Sequence, residues 1–464
     1  MFVCVLYFGF LPFQVFINGN MKNQRLKSSL AASSTGANQA RNAPRSCSSR
    51  PHLHLVGSGG RRKTRRSPTW VCQGLSSSAQ NVNGEGSRIK RQKSKFQLCR
   101  TDGFTCETES EHVAGDSYVR FDGPSTQNHM LVWKTCPKTV LVLKKRGTSL
   151  IPHLREVSRY MWQELNMQVV VEPEVYEEID SLPDLSFVET FAEDELTKLH
   201  EFVDFIVCLG GDGVVLHASN LFPKAMPPII SFNLGSLGFL TNHKHEDHKL
   251  DLSNMCNSCY PTPLSGVFVT LRMRLSVQLL RQGVPVPGKQ CEVLNEVCVD
   301  RGSNSYLCMI ECYERNRLIT KVQGDGVLLS TPTGSTAYSV AAGGSIVHPS
   351  VPAILFTPIC PHSLSFRPVL LPDSAELELR VPEGARGTAW VSFDGKKREE
   401  LFQGDSIKVR MSEYPMPSIN KTDETDDWFK SLVRCLRWNE RLDQIPFEDT
   451  RNKKLYASGT EEHW

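Results

Sequence analysis

The fold is decided by the stretch VDFIVCLGGDGVVLHASNL at residues 203–221. An apolar run ends at Gly210, and the apolar residues from Val214 to Leu221 then recur at helical spacing. A short apolar run followed by an amphipathic segment is typical of a strand that leads into a helix. The stretch therefore predicts one strand-to-helix step of an α/β layer, with glycines in the turn between the two elements.

Further strands and helices flank this unit. The sequence predicts strands at residues 138–144, 168–171 and 228–232, and a helix at residues 154–165. Strands that alternate with helices indicate a parallel sheet with helices packed on it. We therefore predict an α/β domain over residues 131–262.

The hydrophobic pattern changes after Pro263. Runs with a period of two predict short strands at residues 267–279, 292–299, 306–313, 317–323, 327–329, 377–381, 389–393 and 407–411. Such runs, joined by turns, indicate an antiparallel and half-exposed β domain, which we place at residues 263–415. Helical spacing returns at residues 427–439, so residues 416–464 are predicted to form a carboxy-terminal helix and tail that pack on the α/β domain.

Charge is distributed unevenly along the 464 residues. The first 100 residues carry 17 Lys and Arg and a single acid, Glu85, whereas the rest of the chain carries 36 basic and 49 acidic residues. An acidic folded part excludes a uniformly basic nucleic-acid-binding protein. The Ser-, Arg- and Lys-rich composition of residues 21–100 is typical of an organelle transit peptide, and a disordered arm with no targeting role is the alternative. We predict that residues 1–130 form a disordered basic extension with a candidate targeting segment.

Two further features bear on the compartment. The apolar run at residues 2–17 contains Gly9, Pro12 and Gln14 and is too short to cross a bilayer comfortably, so we expect no stable membrane insertion. The 15 cysteines are odd in number and scattered in spacing, which favours free thiols in a reducing compartment.

The clearest candidate site is the GGDG segment formed by Gly210, Gly211, Asp212 and Gly213. Glycines let the backbone approach an anion closely, and the amides at the start of the following helix point toward it. A carboxylate beside bound phosphates has a role if it binds a metal or accepts a proton from an attacking hydroxyl. Both roles suit phosphoryl transfer, and a tight turn with Asp212 as a helix cap is the alternative.

Three other segments are candidate ligand contacts. A second triplet at residues 324–326, GDG, is followed by TPTGSTAYS at residues 331–339, a run of hydroxyls suited to a polar ligand. A hairpin turn and a polar loop are the alternatives. Asn295 and Glu296 lie in a strand-like run, where neighbouring side chains point to opposite faces, so at least one should face inward or into a cleft. Ligand contact and a buried structural hydrogen bond both remain open for them.

Taken together, these segments resemble the NAD kinase family. The matching motifs lie in family order over residues 138–412 and are LGGDG at 209–213, NLGSLGFLT at 233–241, LNE at 294–296, GDG at 324–326, TPTGSTAYS at 331–339 and PHSLSFRP at 361–368. The resemblance is closest to the plant-type, chloroplast, calmodulin-linked branch. It is carried there by RTDGFTC at 100–106, WKTCPKTVLVLKK at 133–145 and DWFKSLVRCLRWNERLDQ near the carboxyl terminus.

The resemblance implies a fold and a reaction. The fold is a Rossmann-like α/β kinase domain followed by an antiparallel, β-sandwich-like domain. The reaction transfers the γ-phosphoryl of ATP to the 2′-hydroxyl of the adenosine ribose of NAD or NADH, with a divalent metal such as Mg²⁺ whose ligands are unknown. Asp212 would be the catalytic proton acceptor, and the phosphates of ATP would lie against Gly210, Gly211 and Gly213. The residues implied to contact NAD are Asp212, Gly213, Asn295, Glu296, Asp325, Thr336, Ala337, Tyr338 and Ser339.

The resemblance also implies partners and leaves alternatives. A homo-oligomer in the chloroplast is expected, with the cytoplasm as the alternative compartment. Calmodulin could bind the basic segment SRIKRQKSKFQL at residues 87–98, for which a solvated linker is the alternative. A lipid or sugar kinase with a GGDG motif and a catalytically silent, calmodulin-responsive NAD(H)-binding regulator are the alternative functions.

Overall fold

The computed structural model describes residues 93–101, 128–235, 238–258 and 266–440. Expectations for the apolar run at residues 2–17 and for nearly all of the basic leader lie outside this part of the chain. Within the described part, no helix is long and apolar enough to cross a membrane. Among the described residues, the side chains of Cys208, Cys291, Cys298, Cys308, Cys312, Cys360 and Cys435 are free thiols.

The described residues form 22 strands and seven α-helices. The strands are β1 (Phe96–Thr101), β2 (Asn128–Trp133), β3 (Thr139–Lys144), β4 (Gln168–Val171), β5 (Glu189–Thr190), β6 (Phe205–Gly210), β7 (Ile229–Asn233), β8 (His243–Lys244), β9 (Val267–Arg272), β10 (Leu275–Arg281), β11 (Val284–Val293), β12 (Glu296–Asp300), β13 (Cys308–Glu314), β14 (Arg317–Gly324), β15 (Gly326–Ser330), β16 (Ala353–Ile359), β17 (Val369–Pro372), β18 (Leu377–Arg380), β19 (Ala389–Phe393), β20 (Lys396–Leu401), β21 (Ser406–Met411) and β22 (Met416–Ile419). The helices are α1 (Ile151–Gln163), α2 (Pro173–Ile179), α3 (Leu199–Phe202), α4 (Asp212–Leu221), α5 (His248–Asn257), α6 (Tyr338–Ala341) and α7 (Glu424–Leu436).

The α/β part is built on a ten-stranded mixed sheet. Its order is β1-β2-β9-β22-β7-β6-β3-β4-β5, with β8 paired to β7. Strands β3 to β8 and β22 run parallel to their neighbours within this group, and β1, β2 and β9 extend the sheet with antiparallel pairs. The α/β fold predicted from the alternating elements is confirmed.

Alternation along the parallel strands divides the helices between two faces of the sheet. Val140 and Val142 of β3 share a core with α1, α2 and α5, whereas Leu141 and Leu143 share the opposite core with α3 and α4. Successive side chains of a strand point to opposite faces, so strands buried on both faces need a continuous apolar run. The sequence TVLVLK of β3 supplies that run.

The second part is a β-sandwich of two six-stranded antiparallel sheets. Their orders are β11-β10-β21-β18-β13-β14 and β17-β16-β15-β12-β19-β20. One apolar core lies between the sheets, with Val277 and Ile310 from the first and Val297 and Leu329 from the second. The predicted antiparallel, β-sandwich-like domain is confirmed, whereas the boundaries at residues 262 and 415 stay predictions.

Two predicted strands are each divided into two. The run at residues 267–279 breaks at Met273 and Arg274, so β9 belongs to the mixed sheet and β10 to the sandwich. The run at residues 292–299 breaks at Leu294 and Asn295, between β11 and β12. The alternating pattern continues through such breaks. It shows which side chains are buried, but it does not show which sheet a strand joins.

Arg274 joins the two parts at the first of these breaks. Its side chain is fully buried, and its Nη1 donates to the carbonyl oxygens of Phe222 (2.7 Å) and Ser219 (3.3 Å). Nη2 donates to the Lys224 carbonyl (2.7 Å), and Nε donates to the Tyr414 carbonyl (2.6 Å). The guanidinium therefore satisfies carbonyl groups at the carboxy-terminal end of α4, which the helix cannot satisfy itself.

The prediction of disorder through residue 130 is wrong for residues 93–101 and 128–130. The backbone amide of Ser94 donates to the buried carboxylate of Asp204 (2.6 Å), which lies 110 residues away in sequence. In β1, the ring of Phe96 packs edge-on against Trp133, with the centroids 5.6 Å apart. These partners are distant in sequence, and local composition does not reveal them.

The candidate calmodulin segment at residues 87–98 is described only from residue 93. Its apolar residues Phe96 and Leu98 lie in β1, and the side chain of Phe96 is packed against the core of the α/β part. Calmodulin binding stays a prediction, and it would have to proceed without Phe96 as a free anchor.

We predict that Arg274→Met lowers the free energy of unfolding by about 3 kcal/mol or more, because it leaves several buried carbonyl groups without donors. Urea denaturation followed by tryptophan fluorescence measures the change. Arg410→Met alters an exposed arginine of β21 and should change stability by no more than about 0.5 kcal/mol. Equal midpoints for the two variants would show that Arg274 does not hold the two parts together.

Candidate functional site

Asp212 lies at the turn between β6 and α4. Gly211 is the N-cap, and Asp212 is the first residue of the helix, with Gly213 exposed beside it. The Asp212 carboxylate does not cap its own helix. Its Oδ2 accepts from the amide of Phe239 (2.8 Å), and its Oδ1 accepts from the amide of Leu240 (3.0 Å). The alternative of a simple helix cap is therefore wrong, because the carboxylate is directed to a separate loop.

The loop approaches Asp212 so closely that residue 238 must be glycine. A Cβ placed on Gly238 would overlap both carboxylate oxygens of Asp212. The carboxylate thus occupies the volume that a side chain at position 238 would take. We did not predict a role for Gly238, although the motif NLGSLGFLT contains it.

Burial raises the pKa of Asp212. The amides of Leu240 and Phe239, the charge of Arg272 and the hydroxyl of Thr241 oppose this rise but do not cancel it. A carboxylate with a raised pKa accepts a proton more readily than an exposed aspartate does. Asp212 therefore combines a fixed position with increased basicity.

Arg272 connects the GGDG turn to the TPTGSTAYS segment. Its buried Nη1 donates to Thr333 Oγ1 at 3.4 Å, and its charge acts on Asp212, Glu424 and Asp427. No described residue accepts a hydrogen bond from its Nε. The only sequence signal for Arg272 is a charged residue in a predicted strand, which does not distinguish a buried arginine from an exposed one.

Asn295 and Glu296 lie where TPTGSTAYS begins. The Asn295 carbonyl accepts from the amide of Thr331 (2.9 Å), and a Cβ on Gly334 would overlap that carbonyl. Asn295 lies in the bend before β12 and not inside a strand, so the expected alternation of its side chain with Glu296 does not hold. The structure brings the LNE and TPTGSTAYS motifs into direct contact.

Asp394 holds the LNE motif in place. Its buried carboxylate accepts from the amides of Leu294 (3.0 Å), Asn295 (2.7 Å) and Glu296 (3.2 Å). Sequence reasoning missed this residue. Its one signal is the Asp-Gly pair at residues 394–395, where both residues adopt positive φ, as in a tight hairpin turn.

Glu296 has an unusual carboxyl group. Its residue is only 7% exposed, and burial together with the charge of Asp394 raises its pKa to about 7, although the amide of Tyr338 acts in the opposite direction. No described residue forms a hydrogen bond with Glu296 Oε2. A buried oxygen of this kind is suited to bind a hydroxyl or amine of a ligand.

Glu296 and Asp325 mark the two ends of one face of the β12–β15 pair, with the apolar cluster of Cys298 and Leu328 between them. In the pairing of β12 with β15, Glu296 lies opposite Ser330 and Asp300 lies opposite Gly326. Four residues of strand place the two ends about 13 Å apart. Tyr338 is 44% exposed and interacts electrostatically with Asp300 and Asp325, so it lies along this face. This face is polar at its two ends and apolar between them, which suits an elongated ligand with polar groups at both ends.

The other predicted residues differ in how free their side chains are. Asp325 Oδ1 accepts a hydrogen bond from Arg301 Nε at 2.7 Å. The Asp325 side chain is nevertheless partly exposed to solvent. Thr336 Oγ1 donates to the Thr333 carbonyl (3.3 Å), and the fully buried Ser339 hydroxyl pairs with Thr357 Oγ1 (3.0 Å). Ala337 lies in the turn before α6. Asp325 and Tyr338 are thus more available to a ligand than the hydroxyl of Ser339.

The glycine-rich turn and buried carboxylate of the α/β part are thus followed in the chain by a β-sandwich that carries the other candidate ligand contacts. Residues 139–260 match the ATP-NAD kinase N-terminal domain, and residues 294–421 match the ATP-NAD kinase C-terminal domain. The chain belongs to the ATP-NAD kinase family.

Several proteins and structures are similar to this chain. NAD kinase 2, chloroplastic, of Arabidopsis thaliana is 58% identical over 354 residues, which are 76% of this chain and 35% of that protein. Putative NAD kinase 3 of Oryza sativa subsp. japonica is 43% identical over 77% of this chain and 73% of that protein. The crystal structure of yeast NADH kinase complexed with NADH has a TM-score of 0.62 at 29% identity and covers 68% of this chain and 92% of that one. The chain therefore spans about a third of the length of the Arabidopsis relative.

We predict that Glu296→Gln gains stability relative to the wild type as the pH rises. The folded-state pKa of about 7 exceeds the ordinary 4.5, so the stability that protonated Glu296 contributes is complete below pH 4.5 and is lost as the pH rises through about 7. Glutamine does not ionise, and the difference should grow by about 3 kcal/mol over this interval. Urea denaturation at a series of pH values measures it. Glu383→Gln, at an exposed site, should show no such trend, and parallel curves for wild type and Glu296→Gln would contradict the prediction.

Proposed function

We propose that the chain is an ATP-dependent NAD kinase that converts NAD or NADH to NADP or NADPH. The observation that carries this proposal is the Asp212 carboxylate, fixed by two amides beside a glycine-rich turn and linked through Arg272 to Thr333. Family membership supports the same reaction. The names of the relatives from Arabidopsis, rice and yeast agree with it.

In the proposed reaction, Asp212 accepts the proton of the ribose 2′-hydroxyl. The 2′-oxygen forms a bond to the γ-phosphorus of ATP, the bond from that phosphorus to the β,γ-bridging oxygen breaks, and ADP leaves. The backbone at Gly210, Gly211 and Gly213 and the first amides of α4 approach the phosphates. Positioning and charge neutralisation supply most of the catalysis, so no nucleophilic side chain is needed.

A divalent cation, Mg²⁺, is expected to arrive with ATP. No three acidic, histidine or cysteine side chains of the described residues converge around Asp212. A hard cation with few protein ligands is held mainly by phosphate oxygens and water. Asp212 is the one carboxylate of the turn that could add a protein oxygen to this set, and the ion would neutralise charge that develops on the phosphates.

The face of the β12–β15 pair between Glu296 and Asp325 is the proposed NAD site. Asn295 and Glu296 would contact the adenosine part, where no described residue forms a hydrogen bond with Glu296 Oε2. Asp325, Thr336, Ala337, Tyr338 and Ser339 would lie along the nicotinamide and ribose part. The length of about 13 Å between the two ends supports an extended dinucleotide rather than a compact sugar.

We further propose that the protein acts in the chloroplast as a homo-oligomer. The relatives named as chloroplastic in Arabidopsis and rice, together with the basic, acid-poor residues 21–100, support the compartment. Import of the full chain into isolated chloroplasts tests it, and a chain that stays outside would favour the cytoplasm.

We predict that the purified full chain forms NADP from NAD, ATP and Mg²⁺, and that Asp212→Asn lowers kcat by about 10²–10⁴-fold, because asparagine cannot accept the proton. Spectrophotometric coupling of NADP to a dehydrogenase measures the rate. Ser219→Ala, at the far end of α4, is the matched control and should keep the rate within about twofold.

The same assay separates the alternatives. Phosphorylation of a lipid or a sugar, with no NADP, would support a different kinase and overturn the proposal. A folded protein that binds NAD but gives identical traces for wild type and Asp212→Asn would support the silent regulator.

We predict that the acid limb of the pH–rate profile lies above the range of an exposed aspartate, because Asp212 must be ionised and burial raises its pKa. The charge of Arg272 lowers that pKa, so Arg272→Gln should move the limb to higher pH. Arg272→Lys keeps the charge and should leave the limb near its wild-type position. An unchanged limb in Arg272→Gln would show that Arg272 does not act on Asp212.

A further inference from the structure

A cluster of metal-ligating side chains lies between α1 and α5. Glu156 comes from the middle of α1, and His245 and His248 come from the sequence HEDH at the start of α5. Helices α1 and α5 share the core on one face of the mixed sheet, whereas α4 packs on the other face. The cluster is therefore separated by the sheet from the helix that carries Asp212.

The three groups converge on one point. His245 Nε2 lies 3.1 Å from Glu156 Oε2, and His248 Nε2 lies 3.9 Å from Glu156 Oε1. One ligand atom from each residue lies within 4.8 Å of the other two. Ligand atoms about 2.0–2.2 Å from a tetrahedral ion lie roughly 3.4 Å apart, so small side-chain movements complete the site.

The imidazole of His248 is oriented by a hydrogen bond from its other ring nitrogen, as is usual for histidine ligands of metals. Its Nδ1 lies 2.8 Å from the carbonyl oxygen of His245 and donates to it, which places the free lone pair on Nε2. His248 is only 3% exposed, and no described residue forms a hydrogen bond with its Nε2. The Tyr160 ring packs edge-on against the imidazole at 5.9 Å. A buried, oriented and unpartnered imidazole nitrogen thus faces the cluster.

We propose that Glu156, His245 and His248 bind a divalent transition-metal ion of the zinc class, with water in the fourth position. Two imidazoles and one carboxylate form a donor set that zinc uses with an open position. Imidazole favours such ions over Mg²⁺, which prefers oxygen ligands, so the site is distinct from the cation that accompanies ATP.

Binding of the ion would change the angle between the rings of His245 and His248. The rings of His245 and His248 are now stacked, with centroids 4.9 Å apart and planes 14° from parallel. Their lone pairs must turn toward a single ion, so the angle between the ring planes opens on binding. The ion would join α1 to the start of α5. Because it would bind the folded state and not the unfolded chain, it would raise the free energy of unfolding.

The test uses the full chain after metal removal with a chelator. Titration with Co²⁺ should reveal one site whose spectrum shows d–d bands in the visible region and lacks the near-ultraviolet sulfur-to-cobalt charge-transfer absorption of thiolate ligands. Glu156→Gln, at a half-exposed carboxylate, should weaken Co²⁺ and Zn²⁺ binding at this site at least tenfold. Zn²⁺ should raise the melting temperature of the wild type and not that of Glu156→Gln.

Glu164→Gln, an exposed carboxylate just after α1, is the matched control and should bind like the wild type. His248→Gln should lose the same site, and circular dichroism without metal checks that it folds. Identical titrations of wild type and Glu156→Gln, or a cobalt spectrum of thiolate ligands alone, would overturn the proposal. These readouts do not depend on NADP formation, so failure of the proposed kinase activity would leave them unaffected.

Discussion

The buried guanidinium of Arg274 fixes the carboxy-terminal end of α4 to the segment that enters the β-sandwich. A helix of ten residues is stiff, so fixing one end also places the other, where Asp212 begins the helix. The two amides from the loop after Gly238 then orient the carboxylate. The position of Asp212 relative to the LNE motif thus depends on a hydrogen-bond donor at the opposite end of α4.

The pKa values of Asp212 and Glu296 are both raised, but by different combinations of causes. Asp212 is buried but surrounded by donors and by the charge of Arg272, whereas Glu296 is buried beside a second carboxylate, Asp394. A group of the first kind remains able to ionise and accept a proton. A group of the second kind holds a proton near neutral pH and can donate a hydrogen bond. The two carboxyl groups therefore lie in opposite electrostatic surroundings, Asp212 near a positive charge and Glu296 near a negative one.

The sequence predicts most of the elements because burial on both faces of a parallel sheet, and on one face of a sandwich sheet, leaves clear patterns. It also marks Asp212, Asn295 and Glu296 as candidate site residues, because they lie in short motifs. It does not identify Arg272 or Asp394, since their roles arise from partners in other strands. The sequence predicts one strand where the structure has β9 and β10, because alternation carries no information about a change of sheet. The disorder expected at residues 93–101 fails for a similar reason, as Asp204 is far away in sequence.

The chain passes between the mixed sheet and the sandwich at Arg274 and returns near Ser412 and Tyr414. These two passages are bonded to each other, because the amide of Ser412 donates to the Arg274 carbonyl (2.9 Å) and the Arg274 side chain donates to the Tyr414 carbonyl. The two crossings are thus held side by side by hydrogen bonds. Sliding of one part along the other would break these hydrogen bonds, so the register between the mixed sheet and the sandwich is fixed at this crossing.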